Sequence, residues 1–556
     1  MTNNTKVGVR AALVLTVIVA ACVAAFSQQR KQTSPQLNED AIRAHIKFLS
    51  SDLLEGRGTG ARGGEIAANY IAAQLEALGA KGAGTNGSFF QPVSLVGVKA
   101  DPNTKLTVSG RNGKESFKFA DEYVAFTGAQ TDEVDVDADM ILVGYGIDAP
   151  EARWNDYKGD ADYRGKILVM LVNDPPATPA EPNLFGAKAL TYYGRWTYKF
   201  EEAARRGAAG VILLHTDASA GYPWSVVRTS NGAWRFDIAR TSDATPFLKI
   251  RSWVTDETAR KIMKLAGQDL DDLRAKAATR DFQPVDLKLK GKINLKSEVK
   301  RVQAPNVVGI LPGRDPQLRD QYVVYSAHWD HLGVGAPDKN GDTIYNGALD
   351  NATGVASVLA IADALAKLPP AQRPGRSSLF LFPTAEEQGL IGAEWYSQHP
   401  IVPLEKTAAD VNLDSMNVLG RTHDFIPLGA ERSSLLAVVQ AVARERGMRV
   451  SPDARPEQGS FYRSDHFPFA KVGVPSISLK EGNDYVGHTR EWGEEQFKAY
   501  NTAHYHQPSD EYRESWDFSG MLQEAEIALA IGRRIADAPA MPRFNPGDEF
   551  AKHQRR

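Results

Sequence analysis

The stretch Tyr322-Val323-Val324-Tyr325-Ser326-Ala327-His328-Trp329-Asp330-His331 sets a short run of β-branched and aromatic residues directly against imidazoles and a carboxylate. The run is too short for a helix and reads as a buried strand, so the polar residues fall at its carboxyl end. The pattern recurs. Ser378-Leu379-Phe380-Leu381-Phe382 leads into Pro383-Thr384-Ala385-Glu386-Glu387, and the run Ala409 to Leu413 carries Asn412-Leu413-Asp414 at its end. Helical stretches such as Gly354 to Leu368 lie between these runs. Mostly apolar strands alternating with helices predict an α/β fold, a mostly parallel sheet flanked by helices. In such open sheets functional groups gather just past the carboxyl ends of the strands.

Two further segments add polar residues to that edge. Gly347-Ala348-Leu349-Asp350-Asn351-Ala352-Thr353-Gly354 opens a helix, and Tyr505-His506-Gln507-Pro508-Ser509-Asp510 lies far downstream. Imidazoles and carboxylates without a thiolate suit zinc or a similar borderline divalent ion. Carboxylates at Asp350, Glu387 and Asp414 would neutralise much of the charge of two close dications, with two neutral histidines completing the shells. In metal-assisted hydrolysis one acid stays unligated to move a proton. The adjacent pair Glu386 and Glu387 supplies it, because neighbouring extended residues point in different directions. Asp330, two residues after His328, is positioned to accept the second ring N–H of that histidine.

The set His328-x-Asp330, Gly347-Ala348-Leu349-Asp350-Asn351, Glu386-Glu387, Asn412-Leu413-Asp414 and Tyr505-His506 resembles the family of co-catalytic zinc exopeptidases that holds the bacterial leucyl aminopeptidases and the glutamate carboxypeptidases. The resemblance implies the zinc exopeptidase fold and two Zn2+ ions per chain. It implies Asp350 as the bridge, His328 and Asp414 on one metal, Glu387 and His506 on the other. Glu386 is then the general base and acid, and Tyr505 a donor to the oxyanion. One departure is Leu349, where some members carry an acid before the bridging aspartate.

The segment with Gly144-Tyr145-Gly146-Ile147, Trp154-Asn155-Asp156-Tyr157, Arg164-Gly165-Lys166 and Gly207-Ala208-Ala209-Gly210 resembles an inserted β-rich protease-associated domain. Short β-rich runs at Met140 to Val143, Lys166 to Val172 and Val211 to His215 agree with that. The expected organisation is a signal peptide over 1–27, the N-terminal part of the peptidase domain over 40–125, the insert over 130–290 and the catalytic domain over 300–540. Two helices are expected within 41–79, joined by Glu55-Gly56-Arg57-Gly58-Thr59-Gly60, which reads as a plain connector. The aromatic cluster Tyr192, Tyr193, Trp196 and Tyr198 reads as core of the second lobe before it reads as the lining of a groove.

Composition sets the outer limits. The chain has 556 residues, 42% apolar and 24% charged, which suits two or three folded domains. Its 65 Lys plus Arg against 68 Asp plus Glu give a formal charge of -3, so no basic field is available to recruit nucleic acid or an anionic membrane surface. Lys6 and Arg10 precede an apolar run from Ala11 to Phe26, the pattern of an export signal. The sole cysteine, Cys22, follows Val19-Ala20-Ala21, so lipid attachment at Cys22 and cleavage after Ala25 or Ser27 both fit, as does an uncleaved N-terminal anchor. Apart from such an anchor no membrane contact is expected, and the protein is expected to be exported, periplasmic or secreted.

Peptides are the expected substrates, cleaved to release N-terminal amino acids. The rival reading is a carboxypeptidase or dipeptidase, for which Arg463, Lys480 or Arg490 would hold the substrate carboxylate. A non-enzymatic receptor on the same fold is the third. His331, His466, His488 and His504 read as surface or supporting histidines, because the ligand set is complete without them. Ser464-Asp465-His466 is not a serine triad, since a triad needs separated residues converging in space and no Gly-x-Ser-x-Gly elbow is present.

Overall fold

The computed structural model describes residues 36–159, 161–232, 234–241 and 246–554; the expected signal segment and Cys22 lie outside them. Four parallel strands, Ser476–Glu481, Thr407–Leu413, Tyr322–Ser326 and Ser377–Phe382, form the centre of the main sheet in that spatial order. They are apolar and buried along nearly their whole length because helices cover both faces. Antiparallel strands extend the sheet on both sides: Asp424–Leu428 beyond Ser476–Glu481, and Val285–Leu311 beyond Ser377–Phe382. The helix Thr353–Ala366 is apolar all round and almost wholly buried beneath the sheet. Glu39–Leu49 and Phe518–Asp537 pack against the same core.

The 27-residue strand Val285–Leu311 carries the chain between two sheets. Its second half pairs with Phe90–Ala100 and Ser377–Phe382, and its first half with Lys105–Gly110 and Glu133–Leu142 in the second lobe. Alternating buried and exposed residues along that first half reflect one face on the core and one in water.

The second lobe is richer in helix than its short β-runs suggest. The strands Ile167–Leu171, Gly210–Leu214 and Ile250–Val254 are mutually parallel, and helices Trp196–Arg205, Asp256–Leu265 and Leu270–Ala277 pack about them. Apolar clusters fill both faces of this sheet. Of its aromatics, Trp154, Tyr157 and Tyr198 are core. Tyr192 and Trp196 instead line a cleft shared with Glu386, Glu387 and Tyr505.

Candidate active site

The polar residues that follow the central strands converge. His328 and Asp330 follow Tyr322–Ser326, Glu386 and Glu387 follow Ser377–Phe382, and Asp414 follows Thr407–Leu413. Asp350 enters on the turn before helix Thr353–Ala366, and His506 on the turn after helix Arg490–Ala503. The Asp350 carboxylate stands between the two imidazoles, Oδ1 at 3.3 Å from His328 Nε2 and Oδ2 at 3.4 Å from His506 Nε2. Asp414 Oδ1 is 3.6 Å from His328 Nε2, and Glu387 Oε2 is 3.0 Å from His506 Nε2. All five expected ligand residues are therefore brought together around one shared carboxylate.

The donor chemistry fits divalent cations. His328, Asp350 and Asp414 form one group with metal-ligating spacing, and Asp350 and Glu387 belong to a second. His328 Nε2 is buried without a hydrogen-bond partner among the described residues, which is costly unless something else meets it. Burial disfavours the charged carboxylates, yet His506 outweighs it at Glu387, and Lys480 and His328 outweigh it at Asp414, so each is drawn down to about 2. Glu386 goes the other way. Burial pushes it well above the ordinary carboxyl range; His328 opposes the rise and the neighbouring Glu387 carboxylate adds to it. Burial also raises the Tyr505 hydroxyl, helped by the negative charge of Asp350 and Glu387, so it stays protonated.

Asp330 supports the site differently from expectation. The ring Nδ1 of His328 meets the backbone carbonyl of Asp330 at 3.1 Å, and the nearer carboxylate oxygen lies 3.8 Å away. That carboxylate instead accepts from the Glu386 backbone N–H at 3.0 Å and from Thr59 Oγ1 at 3.2 Å. The carbonyl contact still directs Nε2 of His328 towards the acids.

The glycine-rich turn read as a connector is a clamp. Arg57 is 1% exposed, and its guanidinium donates to the carbonyls of Trp329 (2.8 Å), Leu49 (2.5 Å), Asn346 (2.7 Å) and Gly347 (2.8 Å). It thereby joins the loop after Tyr322–Ser326 to the loop that carries Asp350. Gly56, at φ +66°, has no room for a Cβ, which would lie 2.5 Å from the Tyr345 carbonyl oxygen. Asp510 accepts from the backbone N–H groups of Leu349 and Asp350 at 3.0 and 3.1 Å. Asn351 completes the frame, accepting from Gly354 and Ser415 and donating to the Leu413 carbonyl.

The remaining histidines separate. His331 is fully buried, with Nδ1 2.7 Å from Glu387 Oε1, and shares the second metal-spaced group with Asp350 and Glu387. It backs the ligand set from inside. His466 is buried and held neutral, its pKa pulled down to about 3 by burial and Lys480. His488 is exposed and stacks on Trp492, and His504 contacts Ser509. Ser464 donates to Asn412, so the Ser-Asp-His segment makes no triad.

Two cavities meet at Glu386, Glu387, Arg463 and Tyr505. One, of about 230 Å³, carries Met416, Val418, Ile426, Leu428 and Phe497 on its walls; the other, of about 250 Å³, lies against the second lobe and is lined by Tyr192, Arg195, Trp196, Tyr222, Arg235 and Arg463.

Residues 306–530 match the profile of peptidase family M28. This part of the chain is similar to that family. Leupeptin-inactivating enzyme 1 of Streptomyces exfoliatus is 25% identical over 241 residues, covering 43% of this chain, which thus spans half the length of that relative (50%). A probable leucine aminopeptidase 2 of Aspergillus oryzae is 24% identical over 453 residues, 80% of this chain and 76% of the relative. Among solved structures, an aminopeptidase from Aneurinibacillus sp. strain AM-1 shares the fold across both lobes. The alignment covers 93% of this chain and 98% of that one, with a TM-score of 0.52 and 19% identity. The matched segment contains every one of the acids and histidines gathered around Asp350, while the clamp residue Arg57 lies outside it.

Proposed function

We propose that the chain is an exported zinc-dependent aminopeptidase that releases N-terminal amino acids from peptides, using two Zn2+ ions. The observation that carries this reading is the single carboxylate, Asp350, reaching towards both His328 and His506 while Glu386 remains outside both metal-spaced groups. His328, Asp350 and Asp414 would hold one ion, and Asp350, Glu387 and His506 the other. Zinc held there supplies Lewis acidity, lowering the pKa of a bound water and polarising the scissile carbonyl. Glu386, with its raised proton affinity, would take a proton from the attacking water and give it to the departing amine. Tyr505, kept protonated, donates to the carbonyl oxygen as charge builds there. Asp330 fixes the turn that presents Glu386 through the bond to its backbone N–H.

The apolar cavity suits an apolar first side chain, and the names of the relatives support the same end of the peptide. Residues 130–290 serve as the protease-associated insert, narrowing access so that short peptides are favoured. Export follows from the basic start and apolar run before Ser27. The test is hydrolysis of aminoacyl 4-nitroanilides with and without chelator. Leucine 4-nitroanilide should be cleaved, cleavage should stop on chelation and return with zinc; no cleavage of any aminoacyl anilide by the zinc-loaded protein would overturn the reading.

A further inference from the structure

The loop that carries Tyr505 and His506 is held in a conformation it would not keep unaided. His506 sits at φ +57°, in the left-handed region that few residues with a Cβ adopt, so its surroundings must impose it. Part of the constraint is backbone pairing: His504 N–H and Tyr505 N–H both donate to the Tyr500 carbonyl, at 2.8 and 3.0 Å, and Asp510 N–H donates to the Gln507 carbonyl at 3.1 Å. The rest is a side-chain bond across the loop. Tyr500, on the last turn of helix Arg490–Ala503, donates from its hydroxyl to Asp510 Oδ2 at 3.3 Å. That bond ties the segment 500–510 together on both sides of His506.

The oxygen that the hydroxyl reaches is shared. Asp510 Oδ2 also accepts from the Asp350 N–H at 3.1 Å, while Oδ1 accepts from the Leu349 N–H at 3.0 Å. The Asp510 backbone carbonyl takes the Ala348 N–H at 2.9 Å. One carboxylate, 3% exposed, therefore sets the turn that bears Asp350, and the tyrosine hydroxyl is a side-chain donor that fixes how this carboxylate is rotated. The helix behind it has little else to hold it, for Gly493 is its only fully buried residue. Gly493, Gln496, Phe497, Tyr500 and Asn501 share one helical face, which roofs the apolar cavity. Arg455 seats the first half of this roof, pairing with Glu494 at 3.0 Å and lying 3.4 Å from the centre of the Phe497 ring. Tyr500 seats the second half on Asp510.

We propose that Tyr500 is a positioning residue of the metal site: through Asp510 it holds the turn of Asp350 and the loop of His506 in register with each other. The two side chains so held are the pair whose Oδ2 and Nε2 stand 3.4 Å apart. The inference rests on the zinc reading above and adds to it a residue that lies outside every ligand motif.

The experiment measures the zinc affinity of metal-free protein by competition with a chromogenic chelator, for wild type, Tyr500→Phe, Asp510→Ala and the double variant, with kcat and KM for leucine 4-nitroanilide alongside. Tyr500→Phe keeps the ring in the cavity wall and deletes only the hydroxyl. Zinc binding should weaken by about tenfold, the usual loss when a group supporting a ligand is removed, and kcat should fall by about tenfold while KM stays within about twofold. Asp510→Ala should weaken zinc binding at least as much, and adding Tyr500→Phe to it should weaken it by less than about twofold more, because both act through one contact. A tyrosine that served folding alone would lower the urea midpoint and leave the zinc affinity of the folded protein where it was. Zinc affinity in Tyr500→Phe within about twofold of wild type therefore overturns the proposal, as do losses that add in full in the double variant. Should Asp510→Ala fail to fold, Tyr500→Phe decides by itself. Failure of the aminopeptidase reading looks different, since zinc-loaded wild type would then leave leucine 4-nitroanilide uncut while the shift in zinc affinity is still read.

Discussion

The protein buries two clusters of charge, and they differ in what is left over. In the second lobe Lys199 is wholly buried, donates to the Asn173 carbonyl at 3.2 Å and faces Asp156 and Asp174. Both acids there are hydrogen-bonded: Asp156 accepts from Ile147 N–H and Trp154 Nε1, and Asp174 from Thr191. At the strand ends, by contrast, Asp350, Glu386, Glu387 and Asp414 crowd two imidazoles, and the buried Nε2 of His328 lacks a hydrogen-bond partner among the described residues. A satisfied cluster holds structure together; a surplus of one sign with orphaned atoms marks a place for something not yet bound.

The comparison is broken most forcefully at Glu386. Glu386→Gln should reduce turnover of leucine 4-nitroanilide by roughly a thousandfold while zinc content is retained, because only the proton relay is lost. Elemental analysis beside initial rates checks this, and near-normal turnover would contradict the relay.

Lys199→Met acts on the other cluster. Leaving Asp156 and Asp174 buried without their cation should lower stability by about 3–5 kcal/mol at neutral pH, measured by urea unfolding. An unchanged midpoint would mean that the lysine does not carry the local charge balance.

Arg57→Lys should follow, with a loss of about 1–3 kcal/mol and zinc binding weakened by about tenfold, since an ammonium cannot reach the four carbonyls that the guanidinium spans. Unaltered zinc affinity would confine Arg57 to folding alone.

The smallest effect is on pH dependence. Burial lifts Asp156 and Asp174 from 3.8 to about 6 in the folded protein. A carboxyl raised on folding contributes stability that is full below its unfolded value and is lost as pH rises through the folded one. This cluster therefore favours folding less at pH 7 than at pH 4. Removing Lys199 raises both acids further, so the difference between Lys199→Met and wild type should shrink as pH falls from 7 towards 5. A difference that grows on acidification would reverse the assignment.

The sheet and the cluster of acids and imidazoles at its edge are legible in the sequence because each of those residues sits within a few residues of an apolar strand or of a helix end, and side-chain chemistry announces it. Arg57 was not legible. Its partners are backbone carbonyls, which leave no residue-type signature, and Asn346 and Gly347 lie nearly 300 positions away. Which of the two readings, surface or supporting, holds for His331 is decided by the contact of its segment with Gly58, again between distant parts of the chain. The helices of the second lobe were hidden behind strong short β-runs, although the packing of parallel strands Ile167–Leu171 and Gly210–Leu214 requires covering helices.

The most direct test of the proposed two-zinc reading is a zinc titration of metal-free protein followed by leucine 4-nitroanilide hydrolysis. The structure-based account expects activity to rise from nil and level off at two equivalents of zinc per chain, with Asp350→Ala failing to recover at either step. Full hydrolysis by protein stripped of all metal, or recovery by Asp350→Ala equal to wild type, would contradict it.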